Sequence, residues 1–354
     1  MRSWASSVRL GAALLRRPRP GRPPKVTAVL TEHCHLRCDF CRLWERPAAG
    51  APADEWLAFF RANPFLRWVN LSGGELFALQ PERLERLLAG IVAALPRLEL
   101  LDFPTAGQRP DEAERAVRTL LATRLPRLAV TVSLDGGREI HDELRGVGGA
   151  FERAFTTFER LRRLRGARLI VVAGCTLTDR APEQIESLGR ELSRRLSDFD
   201  RRELHFNLAH HSSHYYRNAA FTGLPGEAAL QALERLPRPG FGALGWIERS
   251  YARLARRALR EGFPPVGCEA LVRTVFVGPD LDVHPCTIWE RPLGNLRDFG
   301  LSLERLLVQD AAAAARATIE ARGCPGCFSP CEAVPAMAAH PWRTLRARAA
   351  GAAV

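Results

Sequence analysis

Lysine is nearly absent. Of 51 basic residues only Lys25 is lysine, and the rest are arginine. That skew fits a GC-rich coding sequence and is weak evidence for nucleic-acid binding, so no nucleic-acid partner is expected. No apolar run approaches the ~20 residues a membrane-spanning helix needs, so none is expected. No acidic residue precedes Glu32, although seven basic residues lie in the first 25. With those seven set aside, 44 basic against 39 acidic residues leave +5 of the formal +12. The excess is therefore a basic arm on a mildly basic body. There is no internal repeat, and 46% hydrophobic with 25% charged residues excludes disordered, collagenous and low-complexity classes. A length of 354 residues allows one large domain or two ordinary ones. Cysteine, by contrast, is plentiful and clustered. Three of nine lie between Cys34 and Cys41, and three more between Cys324 and Cys331. Tight clusters in a long chain point to metal or iron–sulfur ligation rather than disulfides.

Residues 1–25 form a basic N-terminal arm ending in the Pro/Gly-rich run Arg17–Pro24. It reads either as a disordered or docking arm, or as a short amphipathic helix, Trp4 to Arg17, on an anionic membrane surface. The apolar stretch Leu10–Leu15 is short for a signal peptide, and the twin Arg16-Arg17 follows it, the wrong order for export. From Val26 onward the chain alternates. Strands are predicted at Val26–Thr31, Trp68–Ser72, Leu98–Phe103, Leu128–Ser133, Leu169–Thr176 and Glu203–Ala209. Helical patterns lie between them: one opened by Pro81 with Leu84, Leu87, Leu88 and Ile91 on one face, then Asp111–Ala122, Ala150–Leu164 and Pro182–Leu196. Six such units predict an α/β fold, a partial (β/α)6 TIM-like barrel over residues 26–220, with ligands at the C-terminal strand ends. Residues 225–262 read as helices, and a hairpin follows, Thr274–Val277 and Leu281–His284. A helix over Ser302–Glu320 leads to the last cysteines. Residues 221–340 are expected to form a small β-hairpin/helix domain, and 341–354 a loose tail.

Directly after the first predicted strand comes Cys34-x3-Cys38-x2-Cys41. Three thiolates on one loop can hold three irons of a [4Fe–4S] cube and leave the fourth open for chemistry. His33 or His35 could supply a fourth ligand, and structural zinc is the alternative. Leu71-Ser72-Gly73-Gly74-Glu75 ends the second strand, and Ser133-Leu134-Asp135-Gly136 ends the fourth. Together these segments resemble the radical S-adenosylmethionine (AdoMet) superfamily. The resemblance covers roughly residues 26–335. It implies a catalytic [4Fe–4S] cluster on Cys34, Cys38 and Cys41, with Phe40 against the adenine. It implies Gly73, Gly74 and Glu75 at the AdoMet ammonium, and Ser133 and Asp135 near its ribose and carboxylate. Leu76 stands where the family usually has proline. His141-Asp142-Glu143-Leu144-Arg145-Gly146 resembles one subgroup, with helix capping and a salt bridge as the other reading.

Cys268, Cys286, Cys324, Cys327 and Cys331 resemble the SPASM/Twitch extension of that superfamily. Five cysteines are too few for its two-cluster form, so one auxiliary [4Fe–4S] cluster is implied, on Cys268, Cys286, Cys324 and Cys327. Cys331 either replaces Cys327 or stays free nearby. Leu281 stands where the hairpin usually has glycine, and zinc is again the alternative. Cys175 reads as a buried core thiol.

The resemblance implies reductive cleavage of AdoMet and hydrogen abstraction from a substrate at the barrel mouth. His205–Asn218 holds four of the nine histidines and reads as a polar pocket. Its candidates are His205, Asn207, His211 and His214 for substrate, with His210 or Tyr215 as proton acceptor. A single metal at His210, His211 and His214 is a further possibility, and Asp102 and Thr105 are weaker pocket candidates. Three functions are carried forward: an enzyme acting on a small molecule or lipid, a maturase modifying a ribosomal peptide, and a non-catalytic iron–sulfur carrier. A low-potential donor of ferredoxin or flavodoxin type, a monomeric state and a reducing cytoplasm, with peripheral membrane contact through the arm, are the associated expectations.

Overall fold

The computed structural model describes residues 2–45, 50–235 and 243–350. Six parallel strands form its centre: β1 (Lys25–Thr31), β2 (Trp68–Gly73), β3 (Leu100–Thr105), β4 (Leu128–Ser133), β5 (Leu169–Leu177) and β6 (Leu204–Leu208). The sheet order is β6-β5-β4-β3-β2-β1-β7-β8-β9, with β7 (Thr274–Val277), β8 (Asp282–His284) and β9 (Gly294–Asn295). The third strand begins two residues later than predicted, because the Leu98 amide is spent closing a turn on Leu95 O.

The helices are α1 (Arg2–Leu15), α2 (Ala53–Ala62), α3 (Pro81–Ala94), α4 (Pro110–Ala122), α5 (Arg138–Arg145), α6 (Ala150–Arg163), α7 (Ala181–Arg195), α8 (Glu227–Arg235), α9 (Ala243–Glu261), α10 (Leu303–Leu307), α11 (Asp310–Glu320), α12 (Pro330–Ala339) and α13 (Pro341–Ala350). Alternation along each strand sorts the two faces of the sheet. Val26, Ala28, Leu30, Val69, Leu71, Leu101, Phe103, Val130 and Val132 are buried against the helices. The opposite face is polar: Lys25, Thr27, Asn70, Ser72, Asp102, Thr131, Ser133, His205 and Asn207 point into the barrel. Cys175 belongs to the helix-side core at 1% exposure. A sheet of this kind, helix-covered outside and polar inside, is the partial TIM-like barrel that the sequence predicts.

Three features differ from expectation, and a fourth chooses between expected alternatives. Of the readings of the arm, docking and a helix hold and disorder does not: α1 is docked, with Ser6 Oγ donating to Glu99 O (3.0 Å), Arg9 Nη2 to Glu99 Oε2 (2.9 Å) and Arg273 Nε to Leu14 O (2.6 Å). The side chain of Trp4 lies outside the described residues. The hairpin extends the barrel sheet, since β7 pairs in parallel with β1 from Lys25↔Thr274 to Ala28↔Val277. The helix expected over Ser302–Glu320 is two, α10 and α11, with Ser302 Oγ capping the first. Residues 341–350 are helical rather than loose, because α13 buries Thr344 and Ala347 against its neighbours. Residues 236–242 and 351–354, also covered by the expectations, lie outside the described residues. Helices α2 and α12 carried no expectation, and α5 only the capping reading of His141–Gly146.

Candidate active site

The loop holding Cys34, Cys38 and Cys41 leaves the C-terminal end of β1 and is pinned on both sides. On the β2 side, Gly74 N–H donates to Thr31 O (2.9 Å) and Glu75 N–H to His33 O (2.7 Å). The two glycines are what this contact requires. A Cβ on Gly73, at φ +131°, meets Thr31 O at 2.2 Å, and one on Gly74 meets His33 O at 2.1 Å. On the far side, Arg37 N–H donates to Arg145 O (2.9 Å) and Asp39 N–H to Leu144 O (3.2 Å), at the C-terminus of α5. Gly146, in the left-handed conformation, ends that helix, and a Cβ there meets Arg37 O at 2.5 Å. The three thiols are packed with Leu36, Phe40 and Leu144. Burial pushes Cys34 up to about 11 and Cys41 up to about 12, and raises Cys38 as well. Three thiols on one loop match the donors of a [4Fe–4S] cube, which takes one thiolate at each of three irons.

A buried cation faces this triad. Arg145 Nη1 lies 3.6 Å from Cys38 Sγ, and its guanidinium carbon lies 5.3 Å from the centroid of the Phe40 ring. Its Nε donates to Asp135 Oδ2, while Asp135 Oδ1 accepts from Thr176 N–H (2.7 Å). Burial opposes the Arg145 charge, but Asp135 and Cys38 outweigh it and raise its pKa. Asp135 N–H donates to His141 Nδ1 (3.0 Å), which puts the His141 proton on Nε2. The segment His141–Gly146 thus serves both readings: Asp142 caps the next helix through Gly149 N–H and Phe151 N–H, and Arg145 is charge apposed to the first cysteine loop. Glu75 is buried and accepts from Phe77 N–H (3.2 Å), Thr105 Oγ1 (2.9 Å) and Ala106 N–H. Burial raises its pKa. Ser133 ends β4, half-buried on the barrel face.

The segment after β6 is a strap that touches both cysteine regions. His210 Nδ1 donates to Leu208 O (2.7 Å), and its Nε2 accepts from Phe328 N–H (3.1 Å). Burial lowers its pKa to about 4, so the ring is neutral. Ser212 Oγ donates to Thr287 O (2.7 Å), and His214 Nε2 to Cys286 O (3.1 Å). Tyr215 Oη is 2.5 Å from Ser72 Oγ and accepts from Gly73 N–H (3.3 Å), and its burial raises its pKa. Asn218 Nδ2 donates to Phe40 O and His210 O, both at 2.9 Å. His211 is exposed and bonds Phe221 O (2.7 Å). His210, His211 and His214 are therefore committed to three separate carbonyls and do not gather as a metal triad.

Inside the barrel, Asp102 accepts from Asn70 Nδ2 (2.5 Å) and from Trp68 Nε1, and burial raises its pKa. His205 Nδ1 donates to Glu248 Oε1 (2.8 Å). Burial opposes the imidazolium there, but Glu248 outweighs it and the pKa is raised. Asn207 Oδ1 is buried without a partner. Thr105 is not a lumen residue, since its hydroxyl is spent on Glu75 and Gly107 N–H. The sole lysine is also here: Lys25 Nζ donates to Cys331 O (2.5 Å) and sits 4.6 Å from the centroid of the Trp68 ring.

Below the hairpin a cavity is lined by Cys268, Cys286, Cys324 and Cys327, with Ile288 and Ile319. Backbone amides already point at its sulfurs: Ala270 N–H to Cys268 (3.5 Å), and Ile288 and Trp289 N–H to Cys286 (3.4 and 3.3 Å). Gly326 passes so close to Gly262 that a Cβ would meet its carbonyl at 2.0 Å. Leu281, at φ +67°, adopts the left-handed turn that glycine would supply. Cys331 is not on the cavity lining. It opens α12, beside Lys25. Sequence reasoning gave no site role to Lys25, Asn218 or Glu248, and named Arg145 only within the His141–Gly146 segment. A lone lysine at a strand entry was a usable signal, whereas Glu248 comes from a distant helix and left none.

The fold is similar to that of solved structures of low sequence identity. The structure superposes on native anSMEcpe with bound AdoMet at TM-score 0.58 and 15% identity, over 92% of this chain and 100% of that one. A second structure of that protein, with AdoMet and the Cp18Cys peptide, gives 0.57 and 14% over 92% and 99%. Streptococcus suis SuiB bound to AdoMet gives 0.52 and 18%, over 75% of this chain and 60% of that one. No protein-family model and no curated sequence matches the chain.

Proposed function

We propose that the protein is a radical AdoMet enzyme with one auxiliary [4Fe–4S] cluster, acting on a substrate held in the polar barrel lumen. The observation that carries this is the cysteine triad clamped between the Gly73–Glu75 turn and the C-terminus of α5, with Arg145 against Cys38. When bound, the cluster and AdoMet supply reductive carbon–sulfur cleavage and a 5′-deoxyadenosyl radical that removes a hydrogen atom. Cys34, Cys38 and Cys41 hold the iron, and Arg145 offsets the charge of the thiolates. Gly73, Gly74 and Glu75 receive the AdoMet ammonium, Ser133 its ribose side and Phe40 its adenine, while Asp135, bonded at both oxygens, orients Arg145. Tyr215 braces that edge through Ser72 and Gly73, a better account of its buried hydroxyl than proton transfer. His210, neutral and bonded at both nitrogens, positions the Phe328 loop. Asp102, His205 and Asn207 orient substrate, and the Asn207 carbonyl oxygen is the group still lacking a partner. Cys268, Cys286, Cys324 and Cys327 hold the auxiliary cluster, with all four sites taken by protein, as suits electron transfer.

A small molecule or lipid is the substrate class we favour, because the lumen polar groups lie within the barrel. Modification of a peptide is the second reading, favoured by likeness to a structure that holds one. Incubation of anaerobically reconstituted protein with dithionite and AdoMet tests the proposal. Release of 5′-deoxyadenosine, abolished in Cys38→Ala, is expected. Its absence from iron-loaded wild type favours a non-catalytic iron–sulfur carrier instead.

A further inference from the structure

We infer that α1 and α13 together form a docking surface for an anionic lipid bilayer, on the side of the barrel away from the Cys34–Cys41 loop. Four of the six exposed large hydrophobic side chains among the described residues lie on these two helices: Val8 and Leu15 on α1, Trp342 and Leu345 on α13. Trp342 is the most exposed of all, at 77%. Neither helix contains an aspartate or glutamate.

The two helices are linked through the residues that lead into β7. Arg273 Nε holds the C-terminal turn of α1 through Leu14 O (2.6 Å), and its Nη1 pairs with Glu269. His340, the residue before α13, bonds the same Glu269 carboxylate. One ion pair at the entry of β7 therefore ties the end of α1 to the start of α13. Leu15 and the exposed Arg16 and Arg17 follow from that end of α1, and Trp342, Leu345 and the exposed Arg343 and Arg346 from that start of α13. Arg348 adds to the cationic field. Its Nη1 reaches Ser250 on α9 (3.3 Å), its Nε is buried without a partner, and Arg253 stands beside it.

Apolar side chains ringed by arginine, with no carboxylate on either helix, match a surface of phosphate headgroups over acyl chains. An indole adds interfacial anchoring, since its ring is amphipathic. A neutral protein partner leaves these arginines uncompensated, and a second copy of this chain brings more positive charge. Because Arg273 precedes β7, the surface lies at the N-terminal strand ends, and a docked molecule keeps its barrel mouth clear of the bilayer. The inference does not depend on the reaction catalysed.

Sedimentation of the full chain with vesicles tests it, comparing phosphatidylcholine alone with equal parts phosphatidylcholine and phosphatidylglycerol. Binding to the anionic vesicles only, released by high salt, is expected. Arg343→Gln and Arg346→Gln should each weaken it about fivefold, from ~1 kcal/mol per basic residue near such a surface. Trp342→Ser combined with Leu345→Ser should weaken it at low and high salt alike, with circular dichroism and melting unchanged. Three results overturn the inference: no binding to the anionic vesicles, binding unaffected by these variants, or a wild-type dimer that Trp342→Ser dissociates in light scattering.

Discussion

Arg145 is the residue where local geometry and chemistry are hardest to separate. It is buried, paired with Asp135, and in contact with Cys38 and Phe40. Removing one partner of a buried pair leaves the other charge uncompensated, at a cost of about 3–5 kcal/mol. Arg145→Met should therefore destabilise the iron-free protein by about that much in urea unfolding, and Asp135→Asn/Arg145→Met by clearly less than the two single changes together. Additive losses contradict a coupled pair. His205 gives a pH signature. Its folded pKa is raised, so the Glu248 contact stabilises the fold below the ordinary histidine value of about 6.5 and fades as pH climbs through the raised one. Glu248→Gln should cost stability near pH 6 and little near pH 9. A deficit that grows with pH contradicts the assignment. The grouping of the cysteines was legible in the sequence because residue type and short spacing show there together. Arg145 was not, because the same six residues also cap two helices. Tyr215 and His210 looked like proton carriers in a polar run, and only burial and hydrogen-bond partners indicate bracing.

At the scale of elements, each barrel strand was legible from its apolar, β-branched run, and α3, α4, α6 and α7 from their helical patterns. Helix α2 was missed although it buries Trp56, Leu57, Phe59 and Phe60. Those four lie in a five-residue stretch too short to show helical period. The joining of β7 to β1 was not legible, because strand order depends on contacts some 250 residues apart. Leu281 shows which effect wins in the hairpin. Its left-handed backbone costs about 1–2 kcal/mol against glycine, but its side chain is fully buried beside Val283 and Leu296. Losing a buried leucine side chain costs about 2–5 kcal/mol. Leu281→Gly is thus expected to lower stability in urea unfolding despite relieving the turn, and a more stable variant shows the strain to be larger.

At the scale of the molecule, two cysteine regions are joined by one strap, residues 210–218, which bonds Phe40 O, Gly73 N–H, Cys286 O, Thr287 O and Phe328 N–H. The two cysteine regions are therefore built into one frame, although they come from opposite ends of the chain. The account requires two cubanes with different ligand shells. Mössbauer spectroscopy with iron and sulfide counting, on anaerobic protein with and without AdoMet, tests this most directly. Wild type and Cys331→Ala should each hold about eight irons as two [4Fe–4S] clusters, and Cys38→Ala and Cys324→Ala about half as many. AdoMet should alter one iron site in wild type and none in Cys38→Ala. Zinc at the Cys34–Cys41 loop, or a spectrum that AdoMet leaves unchanged, contradicts the account.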